Sequence, residues 1–321
     1  MDDEPFAVGV RRERMTEQGD VSQPGSERSS GPVPFADGLV LYEEVEAHIV
    51  RITLNRPDKR NAMLTPVMND GLHQALVTAQ DDDLVKAVVL TGAGSHFCSG
   101  EDLSHTPVEE FGLGRGNRLP QSRRIRGISK LEDAGNALLF SDKTVIAACP
   151  GGAVGLGFRL ALCSDIVVAG ESSFFARPQS RIGLAGLDML LPVLLLRLGI
   201  NRGYELLLTG RRASAAELHE WGFVASVVKD ADLQDEALRY ARAIAAHSTD
   251  GLMIGRQAMR MFWEIMGLGQ YQAFGRVAHP LFTNLVWRDD ETNLFKERAH
   301  SANIREALDH VYEKWADLGF E

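Results

Sequence analysis

The stretch TVIAACPGGAVGLGFRLALCSD, residues 144–165, sets four glycines (Gly151, Gly152, Gly155 and Gly157) between a strand-like run and a helix-like run. The first part, Thr144–Cys149, is short, apolar and rich in β-branched residues, as a buried strand requires. The second, from Leu156 to Cys163, is apolar enough for a buried helix. Backbone N–H groups at such a junction can be aimed at a developing negative charge, and a helix dipole adds to them. Arg159 sits one turn into the helix, beside the place where that charge would form.

Working outward, KAVVLTG (86–92) and SDIVVAG (164–170) are two further strand-length runs, separated from 144–149 by helical or glycine-rich sequence. That pattern predicts parallel strands joined by crossovers. Upstream, LVLYEEV (39–45) and HIVRITLN (48–55) predict a strand pair, with Val50, Ile52 and Leu54 alternating against Arg51 and Thr53. TPVMNDGLHQALVTAQ (65–80) predicts a helix opened by a Thr cap with Pro at its first position. From about residue 200 strand signals nearly vanish, and 213–222, 231–247, 251–266 and 302–317 read as helices. The expected fold is therefore α/β: repeated β-β-α units followed by a helical C-terminal region. Residues 1–37, acidic, arginine-bearing and then rich in Ser, Gly and Pro, read as a disordered tail. The division is then a tail over 1–37, a core over 38–230 and a helical region over 231–321.

Composition removes several function classes. A formal charge of −10 over 321 residues opposes a general nucleic-acid-binding role, which needs a basic surface. Cys98, Cys149 and Cys163 have spacings that suit neither a zinc site nor a disulfide framework, so they read as reduced thiols of a cytoplasmic protein. No apolar run is long enough for a membrane span, and the N-terminus lacks the apolar segment of a secretory signal. TGAGSHF (91–97) carries Phe97 at the third glycine position of a dinucleotide fingerprint, and no phosphate-loop lysine follows either glycine turn. There is no G-x-S-x-G elbow and no H-x-x-x-H pair, and no metal is expected. Arg115 to Lys130 is locally basic and reads as a solvated helix face, with phosphate binding as the other use; Glu109 and Glu110 just before it could reach an acyl site.

Four segments together, in order and spacing, resemble the crotonase (enoyl-CoA hydratase/isomerase) superfamily. TLNRPDKRNAM (53–63) is similar to that family's loop around the coenzyme A adenine and pantetheine, and FCSGEDL (97–103) to its first oxyanion turn. Residues 144–175 resemble its second oxyanion turn, helix and following strand, and residues 182–228 its downstream helix, turn and closing strand. The resemblance implies a crotonase-like spiral and an acyl-CoA thioester whose carbonyl oxygen lies between the N–H groups of Glu101 and Leu156. Coenzyme A would enter only as part of the substrate, with no separate cofactor. Contacts to it are implied for Lys59, Arg60, Asn61, Ala62, Ser99, Gly100, Asp102, Leu103 and Gly155. Related proteins assemble through the helical region, so a homotrimer or hexamer is implied.

The same resemblance exposes a departure. Arg159 and Gln179 (in FARPQ, 175–179) occupy the two positions where the family's hydratases carry the glutamates that hold and activate water. Arginine does not deprotonate in a protein and glutamine does not titrate, so neither is a general base. Asp188, in GLAGLD (183–188), matches the place where isomerase branches put an acid facing the acyl chain; it could equally cap the following helix or pair with Arg159. Isomerisation is thus the expected reaction in preference to hydration. Two alternatives remain: decarboxylation or C–C cleavage with Arg159 holding a substrate carboxylate, and a non-catalytic protein that binds acyl-CoA or a partner.

Overall fold

A computed structural model describes residues 31–104, 120–183, 190–279, 281, 288–291, 293–298, 300–316 and 318–319. In chain order the elements begin with β1 (Val33–Phe35), β2 (Val40–Glu46), β3 (Ile49–Leu54), α1 (Val67–Asp81) and β4 (Ala87–Gly92). They continue with α2 (Gln121–Leu139), β5 (Thr144–Cys149), β6 (Gly152–Val154), α3 (Leu156–Cys163), β7 (Ile166–Gly170) and β8 (Phe174–Ala176). Next come α4 (Leu191–Leu198), α5 (Ile200–Thr209), β9 (Arg212–Ser214), α6 (Ala215–Glu220) and β10 (Ser226–Val228). The remaining helices are α7 (Leu233–Ala245), α8 (Thr249–Ile265), α9 (Leu268–Ala278), α10 (Leu294–Arg298) and α11 (Ile304–Ala316). The α/β class and the helical C-terminal region follow the sequence reading.

The main sheet runs β1-β2-β3-β4-β5-β7-β10. Its first two pairings are antiparallel and the other four parallel, so the three runs read as crossover strands are β4, β5 and β7, side by side. A strand sends successive side chains to opposite faces, and the core divides on that rule. Val50, Ile52, Leu54, Val88, Leu90, Val145 and Ala147 pack with Leu72 and Ala75 of α1. Ile49, Val89, Ile146 and Val168 pack on the other side against Leu233, Ala237 and Ala241 of α7. Both faces being covered explains why these strands read as continuous apolar runs. A second, three-stranded sheet, β6-β8-β9, carries the glycine turn.

Several expectations need correction. The tail boundary at 37 is too late, because Val33–Phe35 already pairs with β2. Helix α1 starts at Val67 with no side-chain cap; the Thr65 hydroxyl donates instead to the Glu101 carboxylate, 2.9 Å away. Within the helical C-terminal region, α7 seals the sheet and α10–α11 pack on the loops described next.

Candidate active site

Three loops far apart in sequence are laced together by main-chain hydrogen bonds. Cys98 N–H donates to Gly152 at 3.1 Å, and Val154 N–H donates back to Cys98 at 2.9 Å. On the other side Ser99 N–H donates to Arg60 at 3.0 Å, Met63 N–H to Gly100 at 2.7 Å and Asp102 N–H to Met63 at 3.0 Å. The segment 98–102 thus lies between the 60–63 loop and β6.

This lacing brings the two glycine turns into contact. Gly100 (φ 102°) and Gly155 (φ 54°) both occupy conformations that L side chains resist. A Cβ at Gly100 would stand 3.0 Å from the Val154 carbonyl oxygen and 3.8 Å from Leu156 N, and one at Gly155 would stand 4.0 Å from Gly100 Cα. Gly157 is packed harder still, its missing Cβ falling 2.2 Å from the Cys98 carbonyl oxygen. Leu156 is the first residue of α3, so its N–H has no carbonyl one turn back within the helix. Partly buried against the core, its side chain flanks the turn.

Two of the expected acid/base positions lie at this junction. Arg159 is 7% exposed, and its guanidinium packs on α2 where residue 135 is glycine: a Cβ there would stand 3.2 Å from Nη2 and 3.3 Å from Nε. Gln179 directs Nε2 to 3.3 Å from the Cβ position of Gly155, while its Oε1 is buried without a hydrogen-bond partner among the described residues. Asp188, Glu109, Glu110 and residues 115–119 of the basic segment lie outside the described residues. Within α2, Arg123 and Arg126 are exposed, as a solvated helix face requires.

The predicted coenzyme contacts divide into two groups. Lys59 and Arg60 are exposed, with Arg60 in the left-handed region, and Ser99 lies beside them, its hydroxyl donating to the Lys59 carbonyl at 3.4 Å. Asn61, by contrast, is fully buried: Oδ1 accepts from Arg56 N–H at 2.8 Å, and Nδ2 donates to the carbonyls of Ala93 (2.9 Å) and His96 (2.7 Å). Its side chain clips the loop after β4 to the 56–63 turn. Asp102 is a second clip, accepting from Arg56 Nη1 at 2.7 Å while Arg56 also donates to the Ala62 carbonyl at 3.0 Å. Burial pushes the Asp102 carboxyl up, but hydrogen bonds from Ser104 and Arg56 outweigh that and hold it at about 2. Leu103 packs against Ile182, Leu294, Ala307 and Val311, and its carbonyl accepts from Arg298 Nη1 at 3.0 Å.

Beside the glycine turns lies a cavity of about 460 Å³ that the sequence reading missed, apart from Arg60 and Ser99. Val154, Ala176 and Pro178 adjoin the turns, and Arg60, Arg181 and Arg212 supply three guanidiniums. Arg181 donates to the Thr209 carbonyl at 2.6 Å and lies 4.8 Å over the Trp315 ring; Arg212 lies 4.8 Å over Phe174. The aromatic stacking fixes Arg181 and Arg212 in place. His96 lines the same wall, its pKa lowered first by burial and then by Arg60, so it adds no charge near pH 7. A turn arginine after Pro178 and aromatics in the last helix carried no spacing signal that pointed to a shared wall.

Comparison with known proteins gives a consistent picture. A family model described as enoyl-CoA hydratase/isomerase matches residues 44–301. A 1,2-epoxyphenylacetyl-CoA isomerase from Escherichia coli (strain K12) is 35% identical over 230 residues, covering 68% of this chain and 81% of the relative. A probable enoyl-CoA hydratase from Mycobacterium bovis is 36% identical over 222 residues, covering 69% and 76% respectively. Among solved structures, an enoyl-CoA hydratase from Mycobacterium smegmatis superposes with a TM-score of 0.75 at 25% identity, covering 88% of this chain and 96% of that one.

Proposed function

The chain belongs to the enoyl-CoA hydratase/isomerase family, whose members act on acyl-CoA thioesters, and from that premise we propose that it relocates a proton and double bond instead of adding water. The observation that carries the reading is the pair of side chains at the touching glycine turns: a buried arginine and a glutamine, Arg159 and Gln179, neither able to serve as a general base. The N–H groups of Glu101 and Leu156 would hold the thioester oxygen as negative charge develops on it. One such donor is typically worth ~10²–10³ in rate, and the dipole of α3 adds to the second. Asp188 is the candidate that would carry the proton. The coenzyme would lie along Lys59, Arg60, Ala62 and Ser99. Its phosphates would meet the guanidiniums of the neighbouring cavity, where no carboxylate stands among the described lining residues.

Two further parts of the reading rest on surface features. Helices α8 and α9 expose Ile254, Met261, Phe262, Ile265, Phe274 and Val277, a concentration of apolar side chains that suits burial against other copies in a homotrimer or hexamer. No described helix is long and apolar enough to cross a membrane, and a cytoplasmic site of action goes with the reduced-thiol composition.

The test is a panel of acyl-CoA thioesters incubated with the protein in heavy water and read by mass spectrometry. Deuterium incorporation with double-bond migration is expected. Hydration of crotonyl-CoA should run at least about a thousandfold below a glutamate-bearing relative, since each acid/base group is worth ~10²–10⁴. Comparable hydration rates would refute the reading. Turnover of malonyl-type or β-keto thioesters alone would replace it with decarboxylation or C–C cleavage, and binding without any product would make the protein a non-catalytic acyl-CoA binder.

A further inference from the structure

Gln179 is held at the glycine turns by main-chain contacts on both sides. Gly155 N–H donates to the Ala176 carbonyl at 2.9 Å, tying the turn to the end of β8 three residues before Gln179. Immediately after it the chain closes on itself, Arg181 N–H donating to the Pro178 carbonyl at 3.0 Å and Gly183 N–H to Ser180 at 3.2 Å. Between these anchors the side-chain amide is turned with its nitrogen toward Gly155 and its oxygen into the protein, where Oε1 has no hydrogen-bond partner among the described residues. In this orientation the nitrogen is the polar atom of the side chain that borders the junction. That nitrogen faces the same small space as Gly100 Cα and the turn bearing Leu156. A neutral amide can donate there at every working pH and neither takes up nor releases a proton.

We propose that Gln179 is a third hydrogen-bond donor to the thioester oxygen, a catalytic amide working beside the main-chain N–H groups of Glu101 and Leu156. The proposal rests on the acyl-CoA reading above. It assigns the residue a task opposite to that of a general base: stabilising charge on the substrate without moving a proton. Pre-aimed donors of this kind act most strongly where water is excluded, as beside the buried Arg159 and the apolar wall of α3.

The experiment uses the full chain and a cinnamoyl thioester of coenzyme A, whose absorbance moves to longer wavelength as its carbonyl is polarised. Wild-type protein should bind the probe and red-shift it, with a shift independent of pH between about 6 and 9 because no titrating group contributes. Gln179→Leu and the near-isosteric Gln179→Met should bind it within about threefold of wild type yet lose about a third of the shift, one donor of three. Failure of wild-type protein to bind the probe would overturn the acyl-CoA reading itself. Binding with an unchanged shift in both variants would overturn the present inference alone. A larger shift in the variants would also overturn it, since that result requires Oε1, not Nε2, to face the thioester oxygen. Correct folding of the variants is established in the same samples by the retained probe affinity.

Discussion

Replacing Asp102 by asparagine removes one charge from the clip that fixes the 98–102 turn and leaves its shape nearly intact. The Asp102 and Arg56 side chains are 11% and 13% exposed and meet at 2.7 Å, so solvent screens the pair little. With a folded pKa of about 2 and an unfolded value of about 3.9, the displacement is nearly two units, or about 2.5 kcal/mol at neutral pH. The sign follows from the direction: a depressed carboxylate stabilises above its unfolded pKa, and that stability is lost as pH falls through the folded one. Asp102→Asn should therefore unfold about 2–3 kcal/mol more easily than wild type at pH 7, and the gap should shrink to roughly half by pH 3. Urea denaturation of both proteins at several pH values between these limits measures it. A gap that stayed constant over that range, or one below about 0.5 kcal/mol at pH 7, would refute the assignment of the shift to the hydrogen bonds from Ser104 and Arg56.

Gly100→Ala puts a side chain at φ 102° and 3.0 Å from the Val154 carbonyl; kcat for any accepted thioester should fall by ~10² or more with a smaller change in KM. Arg181→Gln combined with Arg212→Gln should raise KM for full coenzyme A thioesters at least about tenfold, and leave a truncated thioester lacking the nucleotide unaffected. Equal effects on both would remove the cavity from phosphate binding. Installing Glu at both 159 and 179 should raise the crotonyl-CoA hydration rate above wild type, by ~10² if the carboxylates find a water. No gain, in a variant that still binds the cinnamoyl probe, would mean that the Gly135 side of the site cannot accommodate one.

The parallel sheet was legible because Val88, Ile146 and Val168 sit in runs whose burial on two faces leaves no polar alternation. The glycine turns were legible because Gly100 and Gly157 stand where a Cβ meets backbone and Gly155 adopts a positive φ that side chains resist. The opening of α1 was misread: Thr65 and Pro66 fit a cap by local rules, but the Thr65 hydroxyl has a better partner in Glu101, a residue that only the tertiary fold brings near. The resemblance names Asn61 and Asp102 as coenzyme contacts but carries no sign that their side chains also hold two loops to each other, a role only the tertiary hydrogen bonds reveal. The cationic cavity escaped notice because its arginines and aromatics come from β8, β9, the turn after Pro178 and α11, with no period linking them.

The cavity wall has a consequence for biosynthesis. Arg60 and the ring pair Tyr312–Trp315 face one space from positions roughly 250 residues apart, a separation that takes on the order of 10–50 s to translate. Sheet, glycine turns and both clips can all assemble on the ribosome before α11 exists. Helix α11 then docks through a small separate cluster, Ile182, Leu294, Ala307 and Val311. A chain interrupted before Ile304 would thus carry the joined glycine turns with one side of the neighbouring cavity missing, and that wall is completed only with the closing stretch of synthesis.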